Sequence, residues 1–164
     1  MMKKLYSGCG DLGNTRVFHC NLDKDSPLIG VIGAIDELQS ALDMARINCN
    51  FESVISIIQT KLRFLAGELA GYVNDDKKIS LFDVSQMEDI MDDLSDVVPS
   101  HFVRFNKPGA IYLNEARVRT RALERKIVAV DGIRDEVRKY ANRLSDLLFV
   151  LSYKCELGIT DGTE

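Results

Sequence analysis

Residues 116–128, with the sequence ARVRTRALERKIV, place a row of arginines inside an apolar helical pattern. Arg117, Arg121 and Arg125 recur every four residues among apolar residues of helical period, which predicts one stripe along an α-helix. Like charges at this spacing repel each other, so we expect anions to lie opposite the stripe. Two alternatives stay open: the anions are carboxylates of a neighbouring helix, or they are phosphates of a ligand.

A second segment, YANRLSDLLFVL at residues 140–151, again places polar residues in a strongly apolar helical pattern. Asn142 inside such a helix must find hydrogen-bond partners, and Arg143 and Asp146 are spaced to pair across one turn. The consecutive apolar residues 147–151 predict a helix that is central or packed on two sides. In a domain of this size, the second side favours self-association.

Outward from these two segments, helical periodicity dominates the chain and predicts three more helices. The first two predicted helices have apolar stripes at residues 35–45 and 54–69. The third has Asp83 as its N-cap and ends before Pro99. The fourth runs from Pro108 or Ala110 to about Val130, and the fifth covers residues 134–157. We expect an all-α, five-helix bundle that forms a single domain over residues 1–164. The bundle occupies residues 28–157, and residues 1–27 form an irregular, flexible, glycine-containing segment.

Composition narrows the class of protein. The chain has 164 residues and is 46% hydrophobic and 28% charged, as is ordinary for a globular protein. Its formal net charge of −4 argues against a general nucleic-acid-binding surface. No apolar run approaches the roughly 20 residues of a membrane span, and the N-terminus lacks the apolar core of a signal peptide. We therefore expect a cytoplasmic protein with no membrane or nucleic-acid partner.

Cysteine and histidine spacing indicates no metal site. The four cysteines show no CxxC spacing, and the two histidines have no partner ligands in the sequence. We expect the cysteines to be thiols.

The N-terminal glycines match GxGxxG by spacing, at residues 8–13. A dinucleotide fingerprint needs a buried strand before these glycines and a helix after them, and the sequence predicts neither. Exposed backbone N–H groups of such a loop can still hold a phosphate, and a plain turn is the equal alternative. Polar residues near this loop are Ser7, Thr15, Lys24 and Asp25.

Two acidic residues, Asp36 and Glu37, lie near the start of the first predicted helix. Glu37 is expected to interact favourably with the positive end of the helix dipole. Asp36 lies at the edge of the apolar stripe, where it can face an arginine of the row in the same or another subunit.

Five segments, in this order and spacing, resemble the PduO-type ATP:corrinoid adenosyltransferases: GCGDLGNT, NLDKDSP, GAIDELQSALDMAR, ARVRTRALER and NRLSDLLFVL. The resemblance covers nearly the whole chain. It implies transfer of the 5′-deoxyadenosyl group of ATP, supplied with Mg²⁺, to cob(I)alamin, which yields adenosylcobalamin and triphosphate. It also implies a homotrimer with sites between subunits, and a reductase and a cobalamin-dependent acceptor enzyme as partners.

The resemblance also implies roles for individual residues. Catalytic roles fall to Arg121, to a bridge between Asp36 and Arg117, and to Phe102 beneath the corrin ring, where it excludes the lower axial ligand. Residues implied to bind ATP are Ser7, Gly10, Asp11, Gly13, Thr15, Lys24, Glu124 and Asn142.

The sequence departs from the family pattern at three places. A lysine usual in the glycine loop is replaced at Gly8, and a usual second arginine after Arg121 is Ala122. The residues after Phe102 also differ from the usual Leu-Pro-Gly-Gly, which makes Phe105 a rival for its role. The missing lysine keeps an alternative open, a non-catalytic helical-bundle carrier or sensor that binds corrinoid or nucleotide.

Overall fold

The computed structural model describes residues 8, 10–17, 20–94, 99 and 102–159. In this part of the chain there are five α-helices and one two-stranded sheet, which confirms the predicted five-helix bundle. The elements are β1 Asn14–Val17, β2 Cys20–Asp23, α1 Pro27–Arg46, α2 Glu52–Leu69, α3 Leu81–Leu94, α4 Pro108–Val128 and α5 Asp135–Leu157, with a 3₁₀ turn at Asp75–Lys77.

Helix α4, which contains the arginine row, packs between α1 and α5, while α2 covers α1 and α3 covers α5. The shared core is formed by fully buried leucines, among them Leu38, Leu62, Leu113, Leu123 and Leu148. None of the helices in the described residues is long and apolar enough to cross a membrane.

Helix α5 is buried on two sides, as its apolar run predicts. Leu147, Leu148 and Leu151 are all fully buried, because α4 packs on one side of α5 and α3 on the other. Arg143 joins α5 to Glu88 of α3 at 2.8 Å and pairs with Asp146 one turn on at 3.3 Å. The second side of α5 is thus covered within the same chain and gives no argument for self-association; the trimer stays a prediction.

Two helix starts differ from those predicted. Helix α1 begins at Pro27, with Ser26 as N-cap, so Asp36 and Glu37 lie in the middle of the helix and Glu37 does not interact with its dipole end. Asp83 is not an N-cap, because α3 begins at Leu81. Instead, the Asp83 carboxylate accepts a hydrogen bond from the Ser80 backbone N–H at 2.8 Å, and the Ser80 hydroxyl accepts one from the Asp83 N–H at 3.3 Å, as in a capping box.

The segment predicted to be irregular contains a β-hairpin. Strands β1 and β2 pair antiparallel, with Asn14 opposite Asp23 and Val17 opposite Cys20. Each strand has only four residues, so the alternation along one strand is too short to stand out beside the glycine and aspartate turn signals. The hairpin places Thr15 and Val17 beside α1 and α2, where they line a cavity.

The start of α4 is tightly packed, and Gly109 allows this. A Cβ on Gly109 would clash with the Asn48 carbonyl oxygen and lie 2.9 Å from both Cys155 Sγ and Cys49 Cβ. We expect Gly109→Ala to lower the free energy of unfolding by about 1–3 kcal/mol because the added methyl group overpacks this site.

Urea denaturation measures this change, and Gly33→Ala in α1 is the matched control. A Cβ on Gly33 meets nothing within 4 Å. That substitution should therefore raise stability by about 0.5–1 kcal/mol, since alanine is the better helix former. Equal effects of the two substitutions would contradict the packing argument.

Candidate active site

The adjacent faces of α4 and α5 bring together several of the predicted site residues. Asn142 Nδ2 on α5 donates a hydrogen bond to Glu124 Oε1 on α4 at 2.9 Å. Seven residues earlier on α4, the Arg117 guanidinium lies over the Phe149 ring, with its Cζ atom 5.9 Å from the ring centroid. Arg117 Nε donates a hydrogen bond to Asn114 Oδ1 at 2.9 Å. Arg121 lies one helical turn from both Arg117 and Glu124, so it projects between these two contacts.

Arg121 itself is exposed and forms no ion pair with the part of the chain that the structure describes. The carboxylates of neighbouring helices therefore do not neutralise this member of the row within one chain. An exposed guanidinium beside a Glu–Asn pair is suited to bind an anionic ligand, since its fork of N–H donors matches phosphate geometry.

The interhelical bridge is made instead by Arg119, which the sequence pattern did not single out. Arg119 Nη1 contacts Glu37 Oε2 of α1 at 2.8 Å, and Arg119 Nε contacts Glu115 Oε1 at 2.8 Å. Both carboxylates raise the pKa of Arg119, the hydrogen bond with Glu115 most strongly. Residues two apart point to nearly opposite sides of a helix, so α4 directs Arg119 to α1 and the arginine row to α5.

The glycine loop folds back on Lys24 beside the hairpin. Gly8 and Gly13 have φ angles of 71° and 88°, a left-handed conformation that favours glycine. Lys24 Nζ donates to the Gly10 carbonyl at 2.7 Å, and the Lys24 backbone N–H donates to the Gly13 carbonyl at 2.8 Å. Asp11 lies exposed in the turn between these glycines, and Ser7 is outside the described residues.

Next to this loop, a cavity of about 800 Å³ lies between β1, α1 and α2. Thr15 and Asp36 line it, together with polar residues that sequence reasoning missed: Gln39, Asp43, Arg46, Gln59 and Arg63. Two hydrogen bonds of 2.9 Å organise its wall, from Gln39 to the Gln59 carbonyl and from Gln59 to Asp43. The signal was available, because residues 36, 39, 43 and 46 recur at spacings of three and four along one face of α1.

A separate groove of about 300 Å³ lies beside Arg117. The residues lining it are Phe102, Val103, Phe105, Asn114, Arg117 and Phe149. The two candidate phenylalanines therefore lie in the same groove, but they differ in exposure: Phe102 is 89% exposed, whereas Phe105 is half-buried.

Within one chain, the predicted site residues form two groups. The glycine loop, Lys24 and Thr15 lie on the side of α1 and α2, whereas Arg117, Glu124 and Asn142 lie on the side of α4 and α5. Asp36 lines the cavity between α1 and α2 and also a groove of about 430 Å³ between α1 and α4, which Arg119 lines as well. Asp36 and Arg117 line different cavities and form no ion pair with each other. The expected Asp36–Arg117 bridge is therefore not made inside the chain, because α4 presents Arg119, not Arg117, to α1.

The structure thus defines a five-helix bundle with a small β-hairpin, a glycine loop that contacts Lys24, and an exposed Arg121 that forms no ion pair among the described residues. The sequence profile described as cobalamin adenosyltransferase matches residues 5–155. This chain belongs to the cobalamin adenosyltransferase family, as its motifs predict.

Characterised relatives and solved structures agree with this assignment. The corrinoid adenosyltransferase of Citrobacter freundii is 31% identical over 92% of this chain and 94% of its own length. That of Bacillus subtilis (strain 168) is 34% identical over 89% of this chain and 83% of its own length. The PduO protein of Salmonella typhimurium is 30% identical over 90% of this chain, which spans 48% of that longer protein.

Two solved structures of a PduO-type adenosyltransferase from Lactobacillus reuteri share the fold. An arginine-to-lysine variant complexed with ATP superposes with a TM-score of 0.80 at 26% identity, over 93% of this chain and 94% of that one. A phenylalanine-to-alanine variant complexed with cobalamin and ATP gives 0.78 at 28% identity, over 91% of each chain.

Proposed function

We propose that this protein is an ATP:cob(I)alamin adenosyltransferase, which transfers the 5′-deoxyadenosyl group of ATP to cob(I)alamin and releases triphosphate. The observation that carries the proposal is the exposed Arg121, without an ion-pair partner in the described residues, beside the Glu124–Asn142 hydrogen bond. In a chain of this family, these contacts support the proposal that the guanidinium binds the triphosphate of the nucleotide.

The chemistry requires few reactive side chains. Cob(I)alamin is itself a strong nucleophile that attacks the ribose C5′; a cobalt–carbon bond forms as the bond from C5′ to the triphosphate oxygen breaks, and the electron pair leaves with triphosphate. No general base is needed. The protein aligns the two substrates and stabilises the charge that develops on the leaving triphosphate, which is the role of Arg121 when MgATP is bound.

We further propose that the complete site forms between subunits of a homotrimer. One subunit contributes the glycine loop, Lys24 and Asp36, and its neighbour contributes Arg117, Arg121, Glu124 and Asn142. This arrangement is supported by the separation, within one chain, of the cavity beside the glycine loop from the groove beside Arg117. It is also supported by the exposure of Asp36, which would reach Arg117 across the interface.

Phe102 is proposed to act on the corrinoid. An apolar side chain beneath the corrin ring displaces the lower axial ligand, which leaves four-coordinate cob(II)alamin that is easier to reduce. The 89% exposure of Phe102 favours it over the half-buried Phe105, since the side chain that contacts a large substrate must protrude from the groove.

The loop lysine that is missing at Gly8 does not leave this region without a cation. Lys24 Nζ lies against Gly10, where it can meet a phosphate that enters the loop. The reductase, the cobalamin-dependent acceptor and the cytoplasmic location remain predictions.

The deciding experiment mixes purified protein with chemically reduced cob(I)alamin and MgATP, anaerobically and in the dark. We expect conversion to light-sensitive adenosylcobalamin, which is monitored by absorbance, with one triphosphate released for each adenosylcobalamin formed. Binding of ATP or cobalamin without conversion would instead identify a carrier or sensor.

A further inference from the structure

A short segment leads into α4 and includes Phe102, Val103 and Phe105, which line the groove beside Arg117. The structure shows how the end of this segment is held. Glu156 Oε2, near the end of α5, accepts hydrogen bonds from the backbone N–H groups of Asn106 at 2.9 Å and Lys107 at 3.0 Å. Glu156 Oε1 accepts a third from Asn106 Nδ2 at 3.3 Å.

This contact compensates for a missing cap on α4. Lys107 is the N-cap residue of α4 and makes no side-chain cap hydrogen bond. The carboxylate of Glu156 supplies negative charge at that helix start, where it is favourable to the helix dipole. The backbone hydrogen bonds from Lys107 and Asn106 lower the pKa of Glu156, which shows that both contacts favour the ionised carboxylate.

The carboxylate extends from the last turn of α5, whose neighbouring residues pack against the bundle. Its neighbour Lys154 is 5% exposed, and Cys155 packs against the position of Gly109 at the start of α4. In contrast, Phe102 at the other end of the segment is 89% exposed. Glu156 therefore joins the last residues of the phenylalanine segment to the packed end of α5.

We propose that Glu156 is a positioning residue that holds residues 102–107 so that Phe102 reaches the lower face of the corrinoid. This inference rests on the proposed adenosyltransferase function. It assigns Glu156 to one stage of the reaction, the formation of the reducible cob(II)alamin state, and not to the transfer that follows.

A positioning role of Glu156 affects the rate of cob(II)alamin reduction but not the rate of adenosyl transfer to cob(I)alamin. One electron from reduced flavin converts cob(II)alamin to cob(I)alamin, and that step depends on the placement of Phe102. Adenosyl transfer to cob(I)alamin prepared in advance does not need the lower ligand to be displaced. A loss confined to the first assay therefore identifies a positioning role, whereas general damage to the fold lowers both rates.

The main variant is Glu156→Gln, which keeps the size of the side chain. An amide keeps one acceptor oxygen for the two backbone N–H groups, but its NH₂ group cannot accept the hydrogen bond from Asn106 Nδ2, and the start of α4 loses its negative charge. With the full chain and MgATP, we expect the rate from cob(II)alamin and reduced flavin to fall about tenfold, as misplacement of a reacting partner typically costs at least that. Transfer to pre-reduced cob(I)alamin should stay within about twofold, and the electron paramagnetic resonance signal of four-coordinate cob(II)alamin should weaken.

Glu136→Gln is the matched control, since Glu136 lies at the opposite end of α5 and pairs with Arg134 at 3.4 Å. It should leave both rates unchanged. Equal losses in both assays for Glu156→Gln, or no loss in either, would overturn the proposal. If the wild-type protein converts neither substrate, the adenosyltransferase function itself fails.

Asn106→Ala provides a second variant in case Glu156→Gln does not fold. It removes the side-chain donor and leaves both backbone donors in place. We expect a smaller loss, about threefold, again only from cob(II)alamin. An unchanged ratio of the two rates in Asn106→Ala would count against the proposal.

Discussion

Arg121→Ala is expected to lower the rate of adenosyl transfer by about 10² to 10³, the cost of removing one well-placed donor to a developing negative charge. The Michaelis constant for ATP should rise as well, because the proposed contact between this guanidinium and triphosphate also exists in the ground state. The fold should be unaffected, within about 0.5 kcal/mol, since Arg121 is exposed and forms no ion pair with the described residues. Steady-state kinetics with pre-reduced cob(I)alamin and a thermal melt measure both quantities.

Arg119→Ala is the control that the structure offers for this substitution. It removes the same side chain two residues away on α4, but it breaks contacts to Glu37 and Glu115 on the α1 side. Activity should remain within a few-fold of wild type. If Arg121→Ala dissociates the assembly, or if Arg119→Ala impairs transfer as strongly, the arginine row has a structural role and the proposed triphosphate contact is wrong.

The bundle was predictable because its helices have long apolar stripes and clear end signals. Helices α4 and α5 lie within about two residues of the predicted limits, since Pro108 starts one and Gly158 ends the other. The start of α1 was missed because Pro27 was interpreted as part of the irregular segment, although proline after a serine N-cap is a helix start. For α3, the reciprocal Ser80–Asp83 bonds show that the cap lies three residues earlier than predicted.

The site was predictable only in part, because local spacing does not determine how each helix is rotated against its neighbours. Glu124 and Asn142, which the family resemblance implies in ATP binding, contact each other, since both lie on polar positions of adjacent amphipathic helices; their role in ATP binding stays a prediction. Which arginine meets α1 depends on the rotation of α4, and the structure assigns that contact to Arg119. The Glu156 contact links residues 49 and 50 positions apart, and nothing in either segment signals the other.

Mixing two inactive variants is expected to restore activity if the site forms between subunits. Asp36→Ala alters the group on α1, and Arg121→Ala alters the group on α4. Each alone should lose at least about tenfold in rate, Asp36→Ala because it leaves Arg117 without its partner across the interface. In mixed assemblies made by co-expression, some sites combine the intact α1 face of one variant with the intact α4 face of the other.

The size of the recovery follows from the arrangement. With equal amounts and random association, each site receives an intact α1 face with a chance of one half and an intact α4 face with the same chance. About one quarter of sites are then wild type, whatever the size of a closed ring with head-to-tail interfaces. The assay compares the mixed protein with each variant alone.

A second mixture tests whether the recovery comes from the proposed division of residues. Arg117→Ala and Arg121→Ala both alter the α4 face, so every site in their mixture has one defect and no recovery is expected. Recovery in the first mixture but not in the second requires that Asp36 and the α4 residues of one site come from different chains. No recovery in either would mean that one chain supplies the whole site, which would need α4 to rotate so that Arg117, not Arg119, faces α1. That rotation would also break the Arg119–Glu37 contact of 2.8 Å, which as an exposed ion pair contributes only about 0–1 kcal/mol, so the two mixtures and not this contact decide between the arrangements.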